Sequence, residues 1–190
     1  MEYNILCFHG YNQSCEMMKS RMNKIEKEFK GISFDYAESN DINMWYSINI
    51  DNINPLKVLT DEIPSESYHM IEENMKHIDK ILETKKYDGF IGFSQGSVFA
   101  RWYISTRKPQ IKFFISIGSF DANHKLYNIH KLKFPKEIQL YNLYGKDDLY
   151  VPSTYSKILT HFIGGTNVEF IGKHIIPIKE TNDILNKIYN

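Results

Sequence analysis

Two kinds of run alternate along the chain. Short apolar runs stand at Tyr3–Phe8, Asp88–Gly92, Phe113–Gly118, Glu137–Tyr144 and Asn167–Ile171, and Ile32–Ala37 alternates apolar with polar positions. Runs of that length predict strands, and the continuously apolar ones predict strands buried on both faces. Amphipathic runs lie between them. In Glu16–Lys30, the apolar positions Met18, Met22, Ile25 and Phe29 recur at helical spacing, and Gly31 is a suitable stop. Ser67–Thr84 repeats the pattern with Ile71, Met75, Ile78 and Leu82. Gln95–Thr106, Ser153–Ile163 and Lys179–Tyr189 complete the set, with Ser153 as an N-cap. This order predicts an α/β fold in three layers, with a mostly parallel sheet of about six strands and helices on both faces.

One interval breaks the pattern. Glu38–Ser67 is rich in Asn, Asp, Ser and Ile, contains Pro55 and Pro64, and has no sustained period. Connections this long usually serve a function. Met44, Trp45, Tyr46, Ile48 and Ile50 are many apolar side chains for a plain loop. The expectation is a lid or pocket wall, with Trp45, Phe120 and Tyr150 as candidate pocket residues.

Length and charge narrow the class. The chain has 190 residues, which at about 150 residues per domain predicts one domain over residues 1–190 without a separate cap. Lys+Arg and Asp+Glu both number 23, so the net charge is zero. Nucleic-acid binders usually carry a basic excess, so no nucleic-acid partner is expected. No run reaches the ~18 apolar residues of a membrane span, and the N-terminal residues do not read as a signal peptide. Cys7 and Cys15 suggest no disulfide framework. Together these features predict a cytoplasmic protein with no membrane partner. The abundance of Lys, Asn and Ile follows AT-rich codons, so Lys125–Lys136 reads as solvated surface.

The chemistry gathers at predicted strand ends, where open α/β sheets place their sites. Gly92-Phe93-Ser94-Gln95-Gly96 follows a strand and precedes a helix, the context of a G-x-S-x-G nucleophile elbow. Ser94 would stand exposed on the turn, and the Gln95 N–H would face a developing oxyanion. Asp147 and Asp148 follow the fifth strand. Their adjacency leaves room for only one at the site, and the spacing from Gly145 favours Asp148. His174 follows the last strand, and Ser94, Asp148 and His174 stand in the chain order of α/β-hydrolase triads. His9-Gly10-Tyr11 closes the first strand and offers a second oxyanion donor, the Tyr11 N–H. His69, His77 and His161 fall on helices and His124 and His130 in a Lys-rich loop, so they read as surface. His9 reads as structural.

Taken together, four segments resemble the family serine hydrolases, the FSH group of the α/β-hydrolase superfamily. They are Cys7–Gln13, Gly92–Gly96, Tyr144–Asp148 with Val151-Pro152, and Gly172–Pro177. Trp45 resembles an aromatic position of that family. The resemblance implies hydrolysis of small-molecule carboxylic esters or thioesters, with no metal or organic cofactor. It implies Ser94 as nucleophile, His174 as base, Asp148 as orienter, and Tyr11 and Gln95 as oxyanion donors. Lys173 and Ser97 depart from the residues usual in the family at those positions. Acyl-protein thioesterases share the Gly-Phe-Ser-Gln-Gly elbow and are the neighbouring enzymatic reading. An inactive hydrolase-fold binding protein is the reading from another class. The sequence leaves oligomeric state open, a dimer included.

Overall fold

The computed structural model describes residues 3–40, 43–49 and 63–189. Its strands are, in chain order, β1 (Tyr3–Phe8), β2 (Ile32–Ala37), β3 (Ser47–Ile48), β4 (Tyr68–His69), β5 (Gly89–Phe93), β6 (Phe113–Ile117), β7 (Gln139–Gly145) and β8 (Thr166–Phe170). All but the short β3 and β4 form one parallel sheet, in the spatial order β2-β1-β5-β6-β7-β8. The helices are α1 (Cys15–Glu28), α2 (Ile71–Thr84), α3 (Gln95–Arg107), α4 (Ser153–Ile163) and α5 (Ile178–Tyr189). This is the three-layer α/β architecture that the alternating runs predict.

The central strands β5 and β6 are buried at every residue, as their unbroken apolar runs require. Side chains alternate between the two faces. On one face Leu6, Phe8, Phe90 and Phe114 pack with α2 and with Val98, Phe99 and Trp102 of α3. On the other, Cys7, Ile91, Phe93 and Ile115 pack with Met18, Met22 and Ile25 of α1 and with Ile184 and Leu185 of α5. Each fully buried aliphatic side chain of this kind contributes about 1.5–3 kcal/mol.

The start of α2 differs from the Ser67 read from its periodicity. Ser65–Ser67 form a single 3-10 turn, and β4 pairs antiparallel with β3. Met70 then takes a left-handed φ of 71° and the helix begins at Ile71. The long-range pairing with residues 47–48 overrides the local helical pattern. Of the expected lid or wall, residues 43–49 are described. Ile50 and residues 51–62 lie outside the described residues.

Register aligns the strand ends. Phe8 pairs with Gly92, Phe93 with Ile117, Ile117 with Leu143, and Gly145 with Phe170. Because all six strands of this sheet are parallel, the loops that follow them open on one edge.

Candidate active site

Ser94 follows β5 in the middle of the sheet. Its backbone has φ 53° and ψ −121°, a conformation a non-glycine residue holds only when its surroundings enforce it. The enforcement is visible. The Ser94 N–H donates to the Ile117 carbonyl at 2.8 Å, and the Ser94 carbonyl accepts from Ser97 and Val98 of α3. The turn also needs its glycines. A Cβ on Gly92 would stand 2.7 Å from Ser97 Cα, and one on Gly96 2.3 Å from the His9 carbonyl oxygen. Ser97 adds a tie of its own: its hydroxyl accepts from the Ile117 N–H at 3.0 Å and contacts the Gly92 carbonyl. That gives a physical use to a residue that departs from the family pattern.

Asp148 and His174 meet across the ends of β7 and β8. Asp148 Oδ2 accepts from His174 Nδ1 at 2.6 Å, and the two side chains are 2% and 14% exposed. The other carboxylate oxygen, Oδ1, accepts from the Tyr150 and Val151 N–H groups, each at 2.9 Å. The carboxylate is thus fixed at both oxygens, and it fixes the imidazole with Nε2 free. Asp147 is exposed on the adjoining position. Backbone bonds lace the two loops, with Lys146 N–H donating to Phe170 and Asp147 N–H to Gly172.

The imidazole lies close to the elbow. Its ring centre is 4.8 Å from that of Phe93, and a Cβ on Gly118 would be 2.8 Å from His174 Cε1. Gly118 follows Ile117, whose carbonyl holds the Ser94 N–H. Among the described residues the Ser94 hydroxyl has no hydrogen-bond partner. Hydrogen bonds between nucleophile and base are often long in free enzymes.

The turn after β1, His9–Tyr11, is braced from behind. His9 is fully buried, its Nδ1–H donates to the Gly10 carbonyl at 2.9 Å, and burial lowers its pKa. The Trp45 Nε1–H donates to the His9 carbonyl at 2.8 Å. Among the described residues the Tyr11 and Gln95 N–H groups carry no hydrogen bond.

A cavity of about 400 Å³ opens beside Ser94, lined by Tyr11, Met44, Tyr46, Ile48, Gln95 and Phe120 among others. Arg101 holds the loop of Phe120, donating to the Phe120 carbonyl and to Asp121 Oδ1, each at 3.2 Å. Trp45 does not line the cavity. It is fully buried behind the wall, stacked on Phe99 at 4.8 Å, where its indole fills the core. Tyr150 lies outside the cavity too, 82% exposed, with its ring 5.6 Å from that of His174.

Buried amides that sequence reasoning missed fix the wall. Gln95 Oε1 accepts from the Trp45 N–H at 2.9 Å, and its Nε2 donates to the Tyr46 carbonyl at 2.8 Å. Asn74 Nδ2 donates to the Trp45 carbonyl at 2.9 Å. The described part of the expected lid is therefore an anchored wall. Asn74 carried a faint signal, a polar residue beside the apolar stripe of α2. Among the described residues one group of metal-ligating types gathers, Cys15, Glu16 and Glu38.

A serine on a strained elbow at the centre of a parallel sheet, with a carboxylate-held histidine beside it, defines the class: a serine hydrolase of the α/β-hydrolase fold. Solved structures share the architecture. SOBER1 of Arabidopsis thaliana is 17% identical with a TM-score of 0.70, covering 99% of this chain and 98% of its own. Esterase PE8 is 18% identical with a TM-score of 0.70, covering 98% and 93%. The Bacillus cereus carboxylesterase is 12% identical with a TM-score of 0.67, covering 99% and 89%. No curated protein matches the chain by sequence. The model of the serine hydrolase (FSH1) family matches residues 1–184, and the chain belongs to that family. Among the described residues no helix is long and apolar enough to cross a membrane.

Proposed function

We propose that this serine hydrolase cleaves carboxylic esters or thioesters of small to medium acyl chains through Ser94, His174 and Asp148. The observation that carries the proposal is the 2.6 Å bond from His174 Nδ1 to a carboxylate fixed at both oxygens, beside the strained Ser94 elbow. The acyl chain enters the cavity walled by Met44, Tyr46, Ile48 and Phe120. Ser94 Oγ attacks the acyl carbonyl while His174 Nε2 takes its proton, and the Tyr11 and Gln95 N–H groups hold the oxyanion. The imidazolium then gives that proton to the departing alcohol or thiol. Water attacks the acyl-enzyme with His174 again as base, and the acid leaves. Asp148 stabilises the imidazolium and is not itself protonated.

The apolar character of the wall supports acyl recognition. Each methylene it buries is worth about 0.8 kcal/mol, so kcat/KM should rise up to about fourfold per added carbon until the cavity is full. A panel of p-nitrophenyl esters of graded acyl length, on wild type and Ser94→Ala, tests the reading. A rise that stops at medium length, absent from Ser94→Ala, is expected. Equal turnover by Ser94→Ala would overturn it, and no turnover of any ester or thioester would favour a binding protein on a hydrolase scaffold.

A further inference from the structure

The two faces of the sheet differ in kind at the site. The acyl cavity belongs to the α2/α3 face, where Tyr46, Ile48 and Phe120 join the apolar cluster. His174 lies toward the other face, against Phe93, whose side chain packs with the α1/α5 cluster. An acyl chain in the cavity therefore directs the alcohol or thiol portion of the substrate toward the His174 side.

That side holds a cation that forms no ion pair among the described residues. The Arg21 guanidinium, on the second turn of α1, lies over the Phe93 ring at 5.1 Å. The Phe93 ring is in turn 4.8 Å from that of His174. Laid end to end, these separations bound the distance from guanidinium to imidazole centre at about 10 Å. Phe93 also abuts the oxyanion turn, since a Cβ on Gly10 would stand 3.1 Å from Phe93 Cδ1. Arg21 is exposed, and among the described residues it forms no ion pair. The chain's other arginines are both paired, Arg101 with Asp121 and Arg107 with Glu72 and Asp79. Partial burial lowers the Arg21 pKa, and no carboxylate acts to raise it.

We infer that Arg21 is a specificity residue for the leaving group, favouring esters whose alcohol or thiol portion carries a carboxylate or phosphate. The inference rests on the reading of Ser94 as nucleophile and adds a polarity to its substrate: an apolar acyl part toward one sheet face and an anionic leaving group toward the other. The geometry suits guanidinium chemistry. The Phe93 ring lies beneath the guanidinium at 5.1 Å, and the guanidinium N–H groups can meet an anion.

The test uses three butyryl esters with matched phenolic leaving groups: 3-hydroxybenzoate, 3-hydroxyphenyl phosphate and the uncharged 3-hydroxybenzamide. Wild type is expected to show a kcat/KM about fivefold higher for the anionic esters than for the carboxamide, the upper end of what an exposed ion pair supplies. The arm with the larger preference distinguishes carboxylate from phosphate. Arg21→Met keeps a long unbranched apolar side chain without the charge and should abolish the preference, leaving the carboxamide ester within about twofold of wild type. Arg21→Lys should restore part of it. In wild type alone, raising salt from about 0.01 M to about 1 M should erase the preference by screening. Hydrolysis of the carboxamide ester by wild type, absent from Ser94→Ala, upholds the nucleophile by itself. Equal rates on all three esters, or a preference that survives Arg21→Met, overturns the role of Arg21 and leaves the nucleophile standing.

Discussion

Gly118→Ala is the substitution that reads the proposed triad most mechanically. The new Cβ would lie 2.8 Å from His174 Cε1 and 3.1 Å from Nδ1. Carbon atoms rest at about 3.5–4.0 Å, so the imidazole must retreat by roughly 0.7 Å or the loop must yield. The retreat works against the 2.6 Å bond that holds Nδ1 to Asp148 and moves Nε2 relative to Ser94. A misplacement of about 1 Å in a catalytic group can cost about 10²-fold, and a loss of that order in kcat/KM on p-nitrophenyl butyrate is expected. Stability should fall separately. Gly118 has φ 58°, where a side chain costs about 1–2 kcal/mol. For a chain of this size that corresponds to a fall in Tm of about 2–8 °C. Steady-state kinetics and a thermal melt on the same preparation separate the two effects. A folded Gly118→Ala protein within about threefold of wild-type activity would refute the placement of His174 in the reaction.

Other expectations follow from the same geometry. Asp148→Asn should lower kcat by about 10⁴ while Asp147→Asn stays within about twofold, since only Asp148 is buried against the imidazole; the reverse order of effects would reassign the acid. Asn74→Ala removes the buried amide behind the cavity wall, so a loss of about 1–3 kcal/mol in urea denaturation is expected, together with a flattened acyl-length profile. An unchanged profile would mean that the wall does not depend on this anchor. His124 Nδ1 accepts from the Leu126 and Tyr127 N–H groups, and burial lowers its pKa from 6.5 to about 4. A folded pKa below the unfolded one means the unfolded chain binds the proton first, so stability is lost as pH falls from about 6.5 toward 4. Denaturation at pH 5 should therefore show about 1–2 kcal/mol less stability than at pH 7, and His124→Asn should flatten that dependence. Burial raises the Cys7 thiol well above its ordinary value, and burial with Glu38 nearby raises Cys15 to about 12, so neither should react with a disulfide reagent at pH 8 until the protein unfolds.

The sheet was legible because its central strands are short and mostly apolar, and the helices because their stripes keep one period. β6 begins at Phe113 and β2 spans Ile32–Ala37 as their side chains predict. The strand-end residues were legible as a constellation, since parallel topology brings all such loops to one edge. What escaped depends on long-range contacts. Tyr68 and His69 carry no local strand signal, and only the partner segment at 47–48 makes them one. Trp45 read as a pocket residue because so many apolar side chains in an irregular segment suggest a lid or wall, yet its indole is buried in the core and bonded to the His9 carbonyl. Gln95 was legible through its backbone N–H, but its side-chain hold on Trp45 and Tyr46 spans 50 and 49 positions of the chain. Arg21 left no mark because a cation on an amphipathic helix is ordinary until the ring beneath it is known.

The central claim is that Ser94 is the nucleophile. Its most direct test is intact-mass analysis after incubation with a fluorophosphonate, followed by peptide mapping. The account predicts one adduct per chain, on the peptide containing Ser94, absent from Ser94→Ala and suppressed in His174→Ala. An unlabelled wild-type protein, or an adduct on any other residue, would contradict it.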